Sequence, residues 1–109
     1  MDQVMTSIKR LRFALIGTGD FGPHFAPYVN EVTDLVAICD PNPQSRADFV
    51  AQTKLQLPEF DHHEQLLAEA DLDGVVIASP NFTHKDIAVA AAERGKHVLC
   101  EKAMATSVP

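Results

Sequence analysis

The chain has no tryptophan, one tyrosine, two cysteines and only 9 basic side chains against 15 acidic ones, for a net charge of −6. Each shortage excludes something. Two cysteines, Cys39 and Cys100, are too few for a disulfide framework, so a reducing compartment, the cytoplasm, is the default expectation. The few basic residues are scattered or stand beside acids. That argues against nucleic acid or an anionic membrane surface as partner, because both need a clustered positive footprint. No apolar run approaches the ~20 residues of a membrane span; the longest is Ile87 to Ala92. The opening MDQVMTSIKRLR carries no apolar segment after its charges, which argues against a secretory signal. Five glycines and seven prolines are too few for a collagen-like or low-complexity chain.

What is present suits a single ordinary globular domain: 109 residues, 46% apolar and 22% charged. A domain of this size buries roughly two-thirds of the surface of its unfolded chain, enough for one modest core. Residues 1–10 read as an N-terminal tail and 11–109 as the domain. Short apolar runs without polar alternation recur at Leu11–Ile16, Leu35–Cys39, Val75–Ala78 and His97–Cys100. Such runs read as strands buried on both faces, as in a parallel sheet. Leu57–Phe60 reads as a brief edge strand. Helix-length segments lie between: Ser45–Lys54 with Ala47, Val50 and Ala51 on one face; His62–Ala70 opened by an Asp61/Glu64 capping box; His84–Arg94 opened by Thr83/Asp86 and closed by Gly95. Alternating strand and helix implies right-handed βαβ units on a parallel sheet. One local conflict stands out. Pro23 suits a first helical turn, but Pro27 lies deeper and costs about 3 kcal/mol in a helix interior. A kinked or late-starting first helix is expected, with Phe25 and Val29 facing the sheet.

Gly17-Thr18-Gly19-Asp20-Phe21-Gly22 is G-x-G-x-x-G, set directly after a strand and before a helical segment. In that context Gly17 permits the tight turn, Gly19 lets a pyrophosphate approach bare backbone, and Gly22 lets helix and strand pack closely. The helix N-terminus offers unpaired N–H groups and a positive dipole end. Asp40 ends the second apolar run, 18 residues after Gly22, where a carboxylate accepts hydrogen bonds from adenosine ribose hydroxyls and repels a 2′-phosphate. Pro41-Asn42-Pro43 offers no cation to offset that repulsion, and Arg46 is the nearest. NAD is therefore favoured over NADP. S-adenosylmethionine and flavin proteins share similar glycine loops and remain open at this point.

The sequence also resembles the family of glucose–fructose oxidoreductase, inositol dehydrogenase and rhizopine-catabolism dehydrogenase. The likeness rests on the GTGDFG loop, on VVIASPNFTH (Val75 to His84) and on GKHVLCEKA (Gly95 to Ala103). The resemblance implies a doubly wound parallel-sheet Rossmann fold of α/β class with strand order 3-2-1-4-5. It implies that Ser79, Pro80 and Asn81 line the cofactor's ribose and phosphates, and that His84 stands beside that loop. Glu101 and Lys102 would end the fifth strand, with Lys102 reaching the substrate beside the nicotinamide. Asp20 and Phe21 complete the loop. Ala103 replaces the family's usual proline, and Phe25 stands where the family often has histidine. The implied activity is hydride transfer between nicotinamide and a sugar or cyclitol hydroxyl; the alternatives are a dinucleotide-binding module without catalysis and an NAD-dependent glycosidase. The family carries a second α+β domain with its proton-transfer histidine and aspartate. The chain stops at Thr106-Ser107-Val108-Pro109, so a fragment is expected, one that self-associates into a homo-oligomer through apolar surface its partner domain would cover.

Three further expectations are structural. His62 and His63, as neighbours on a helix, should point about 100° apart and not converge on a metal. Cys39 and Cys100 should end strands three apart, roughly 14 Å at ~4.8 Å per strand, so both should be free thiols. Glu64, Glu69, Asp71 and Asp73 read as a solvated face, and His24 and His97 carry no chemistry.

Overall fold

A computed structural model of the chain describes residues 10–19, 22–78 and 81–100, with the backbone alone at 25, 32, 81–84 and 100. Five strands, β1 (Arg12–Ile16), β2 (Asp34–Cys39), β3 (Glu59–Phe60), β4 (Gly74–Ile77) and β5 (His97–Cys100), form one sheet in the order β3-β2-β1-β4-β5. Every neighbouring pair is parallel. Four helices connect them: α1 (Gly22–Val32), α2 (Pro43–Thr53), α3 (His63–Glu69) and α4 (Asn81–Glu93). The expected α/β class and strand order are those observed.

Side chains alternate across the sheet and build a core on each face. Phe13, Leu15, Leu35, Ile38 and Val76 pack with Ala26 and Val29 of α1 and Phe49 of α2. Ala14, Ile16, Ala37, Cys39, Val75 and Ile77 pack with Leu66 and Leu67 of α3 and Ile87 and Ala91 of α4. Burial on both faces is why these strands read as unbroken apolar runs. The β1–β2 register slips between Phe13 and Ala14, where Val36 is the extra residue.

Several local readings change. Helix α1 does not start late; it begins at Gly22 and runs through Pro27. Pro27 can be tolerated because it faces solvent, where water can serve the Pro23 carbonyl it fails to reach, while Ala26 and Val29 face the sheet. On α2 the inward residue is Phe49, fully buried, and Ala47 and Ala51 are exposed. Helix α3 is capped by His62, not Asp61: His62 Nδ1 accepts from the Glu64 N–H at 3.1 Å. Helix α4 begins at Asn81, ahead of the Thr83 box. Its C-terminus follows the sequence: Gly95 has φ 72°, its N–H donates to the Ala92 carbonyl, and the Lys96 N–H donates to that of Ala91, a Schellman end.

Two charged residues are more than a solvated fringe. Asp73 accepts the Arg12 N–H at 2.7 Å and so joins the chain before β4 to the start of β1. Arg10, at the end of the expected tail, is fastened to the domain: its guanidinium donates to the Asn30, Glu31 and Thr33 carbonyls at the end of α1 and to Asp34 at 2.7 Å. No helix among the described residues is long and apolar enough to cross a membrane.

Candidate functional site

The sheet delivers its candidate residues at the carboxyl ends of β1, β2 and β4. The ladder continues one step past each strand: the Gly17 N–H donates to the Cys39 carbonyl at 2.8 Å, the Ala78 N–H to the Ile16 carbonyl at 2.8 Å, and the Asp40 N–H to the Phe60 carbonyl at 3.0 Å. The chain after β1 leaves toward α1 on one face, while β4 is reached from α3 on the other. This is the switch point at which open α/β sheets form a crevice.

Gly17 turns the chain out of β1 with φ 101°, in the left-handed region that favours glycine. Gly22, the first residue of α1, passes close beneath it. A Cβ at Gly22 would lie 2.5 Å from the Gly17 carbonyl oxygen and 3.4 Å from Leu15 Cδ2. At Gly19 the situation is opposite, since a Cβ there would meet nothing within 4 Å among the described residues. One glycine is therefore required by the fold, and the other leaves backbone facing open space at the N-terminal end of an 11-residue helix.

Asp40 is bound into this loop. Its Oδ2 accepts the Thr18 N–H at 2.9 Å and the Thr18 hydroxyl at 3.2 Å. Its Oδ1 accepts the Asn42 N–H at 2.8 Å, closing an Asx turn over Pro41. Asn42 in turn caps α2 by accepting the Gln44 N–H at 2.9 Å, with Pro43 in the first turn. Thr18 is buried, the one buried polar residue among those described. A carboxylate offers about four acceptor positions. Three are in use, and the Thr18 hydroxyl bond is longer than the usual range for an O–H donor. Asp40 can thus take one further hydroxyl on Oδ1 and exchange the Thr18 hydroxyl for another on Oδ2.

Arg46 completes the surroundings. Its guanidinium donates to the Asp40 backbone carbonyl and, at 3.0 Å, to the Glu59 carboxylate on β3. Nothing in the sequence marks Thr18, Asn42, Arg46 or Glu59 as supports of Asp40. Only the Asp-Pro-Asn-Pro run carried a readable signal, that of a turn followed by a helix cap.

The structure brings Gly17, Thr18, Gly19, Gly22 and Asp40 together. The backbone of Asn81 and His84 opens α4, the helix that follows β4. Asp20, Phe21, Ser79, Pro80, Glu101 and Lys102 lie outside the described residues. The imidazoles of His62 and His63 do not point apart as expected: their rings stack at 4.6 Å, with His62 capping the helix instead of lying on it. Among the described residues no group of three or more His, Cys, Asp or Glu is placed to hold a metal. Cys39 is a free, buried thiol whose pKa is pushed up to about 12, by burial first and by the nearby Asp40 and Asp61 carboxylates second, against the Arg46 charge.

The switch point at the strand ends, open glycine backbone at a helix start and a carboxylate with acceptor capacity together fit a dinucleotide. The family model described as an oxidoreductase family with an NAD-binding Rossmann fold, that of glucose–fructose oxidoreductase and inositol dehydrogenase, matches residues 11–109. The chain belongs to that family. Similar proteins include an inositol 2-dehydrogenase/D-chiro-inositol 3-dehydrogenase of Halalkalibacterium halodurans, 34% identical over 89% of this chain and 29% of its own. A D-xylose 1-dehydrogenase (NADP(+)) of Haloferax volcanii is 37% identical over 89% of this chain and 30% of its own. Among solved structures, the WlbA dehydrogenase of Bordetella pertussis in complex with NADH and UDP-GlcNAcA superposes with TM-score 0.76 at 30% identity, over 88% of this chain and 30% of that one. The chain thus spans under a third of these relatives and constitutes their NAD-binding Rossmann domain.

Proposed function

We propose that this domain binds NAD in preference to NADP and serves an oxidoreductase acting on a hydroxyl-bearing carbon of a sugar or cyclitol. The observation that carries the reading is the Asp40 carboxylate, fixed by Thr18 and Asn42 beside the open backbone of Gly19. When bound, the nicotinamide supplies the hydride chemistry. The chain's own residues bind and orient. The Gly17–Gly22 loop, Asp20 and Phe21 included, and the start of α1 receive the pyrophosphate, and Asp40 accepts the ribose hydroxyls. Ser79, Pro80, Asn81, His84 and Glu101 border the cofactor. Lys102 places its ammonium on the substrate oxygen and stabilises negative charge developing there.

A second reading, NADP in place of NAD, has the Haloferax relative's name in its favour. Against it stands the Asp40 carboxylate, which repels a 2′-phosphate, with the Arg46 guanidinium already paired to Glu59 at 3.0 Å. Calorimetric titration with NADH and NADPH decides between them. NADH should bind more tightly, and Asp40→Arg should weaken NADH and narrow or reverse the preference. An unchanged preference in Asp40→Arg contradicts the ribose role.

Turnover in this reading needs more than this domain, which matches under a third of the length of its relatives. Residues 1–109 should bind NADH yet form none from NAD with a panel of sugars and polyols. In an active enzyme carrying this domain, accumulation of free NADH separates a dehydrogenase from a glycosidase that re-reduces its sugar. Exposed Leu99 on β5 and Val89 on α4 suit association into a homo-oligomer, which sedimentation would test. A free thiol at Cys39 suits the cytoplasm.

A further inference from the structure

We infer that Glu59 governs cofactor choice at one remove, by holding the Arg46 guanidinium where a 2′-phosphate cannot recruit it. The inference rests on the assignment of the adenosine ribose to Asp40. Arg46 stands on α2, and its guanidinium turns back across the β2–α2 connection. There it donates to the backbone carbonyl of Asp40 itself and to Glu59 Oε1 at 3.0 Å. Its charge therefore lies within one residue's backbone of the carboxylate that would meet the ribose. Arg46 is only 18% exposed and Glu59 41%. The anchor is also rigidly placed: Glu59 pairs in register with Ile38, and the Phe60 carbonyl accepts the Asp40 N–H at 3.0 Å, so β3 and Asp40 are one unit.

A guanidinium already shared between a carboxylate and a carbonyl gains little by turning to another anion. Without the Glu59 charge, its remaining anchor among the described residues is the Asp40 carbonyl, a neutral acceptor. A 2′-phosphate carries about −1.5 to −2 charge and offers the paired oxygens that a guanidinium fits best. Asp40 still repels that phosphate. Loss of the Glu59 charge should therefore raise NADPH affinity without inverting the preference for NADH. One added charge contact near 4 Å in water is worth roughly fivefold in an equilibrium constant.

The test is titration of Glu59→Gln with NADH and NADPH, beside the parent and a Glu59→Gln/Arg46→Met double variant, at low and high salt. Glu59→Gln should bind NADPH about fivefold more tightly with NADH changed less than about twofold. The gain should vanish in the double variant and shrink at high salt. A merely structural role for the pair would move both nucleotides alike, and that outcome overturns the proposal. An unchanged NADPH-to-NADH ratio, or a gain that survives loss of Arg46, overturns it equally. If the parent binds NADH and the ratio stays fixed, this proposal alone falls. If the parent binds neither nucleotide, the ribose assignment falls first and takes this proposal with it.

Discussion

Alanine at Gly22 and at Gly19 should have opposite consequences, although the two glycines share one loop. At Gly22 the new Cβ would stand 2.5 Å from the Gly17 carbonyl oxygen, a backbone atom that cannot rotate aside. Relief requires moving either α1 or the turn whose N–H is bonded to Cys39 at 2.8 Å. Overpacking of this kind costs about 1–3 kcal/mol. Alanine returns up to about 1 kcal/mol by restricting the unfolded chain and favouring helix. Set against the middle of that range, about 2 kcal/mol, the return leaves a net loss of about 1–2 kcal/mol, a fall in Tm of roughly 5–15 °C for a domain of this size. Gly19→Ala meets no atom of the described residues within 4 Å, and Gly19 is not among their left-handed glycines, so its Tm should match or slightly exceed the parent's through the same unfolded-chain gain. Its methyl group instead occupies the approach of the pyrophosphate. Losing one charge-assisted hydrogen bond there, about 1.5–3 kcal/mol, weakens NADH by about tenfold or more. Thermal melts followed by circular dichroism and calorimetric titration read the two effects separately. A Gly22→Ala protein that melts with the parent refutes the close passage of helix and turn. A Gly19→Ala protein that binds NADH as tightly as the parent refutes the placement of the diphosphate.

Other consequences follow from the core and the titrating groups. Phe49→Ala removes a fully buried ring from between α2 and the sheet and should cost about 3–5 kcal/mol, a large share of a typical domain's stability; a melt close to the parent's would contradict its role as anchor. In a Cys100→Ser background, Cys39 should resist thiol reagents at pH 8 until the protein is unfolded, because its thiol is buried with its pKa pushed up to about 12; rapid native labelling would contradict this. The pKa of His63 is lowered from 6.5, by burial first and His62 second, against Glu64 and Asp86. The fold therefore favours the neutral ring: stability is full above pH 6.5 and declines as pH falls through 6.5 toward the lowered value. His63→Gln should flatten that decline in melts between pH 7.5 and 5.5, and an equally steep decline in the variant would assign it elsewhere.

The sheet was legible because burial on both faces leaves an uninterrupted apolar run, and each run ends at a glycine, an acid or a proline. The strand order followed from the family likeness and from strand–helix alternation. The face of α2 was not legible from its alanines. Alanine buries too little area to mark a side, and the true inward seam, Arg46, Phe49, Val50 and Thr53, is half polar. The cap of α3 was misread because an imidazole nitrogen does the work usually given to a carboxylate. Of the site, Gly17, Gly19, Gly22 and Asp40 were readable as spacing. The contacts that fix Asp40 were not, since Thr18 reaches it across 22 residues of chain and Arg46 meets Glu59 only where α2 packs over β3. Asp73 reads as solvated in the sequence for the same reason: its partner is the backbone of Arg12, 61 residues away.

The most direct measurement is a crystal structure of the protein soaked with NADH. The account requires the diphosphate over the bare backbone at Gly19 and an adenosine ribose hydroxyl within hydrogen-bond distance of Asp40 Oδ1. Density for the nucleotide elsewhere, or a ribose turned away from Asp40, would contradict it.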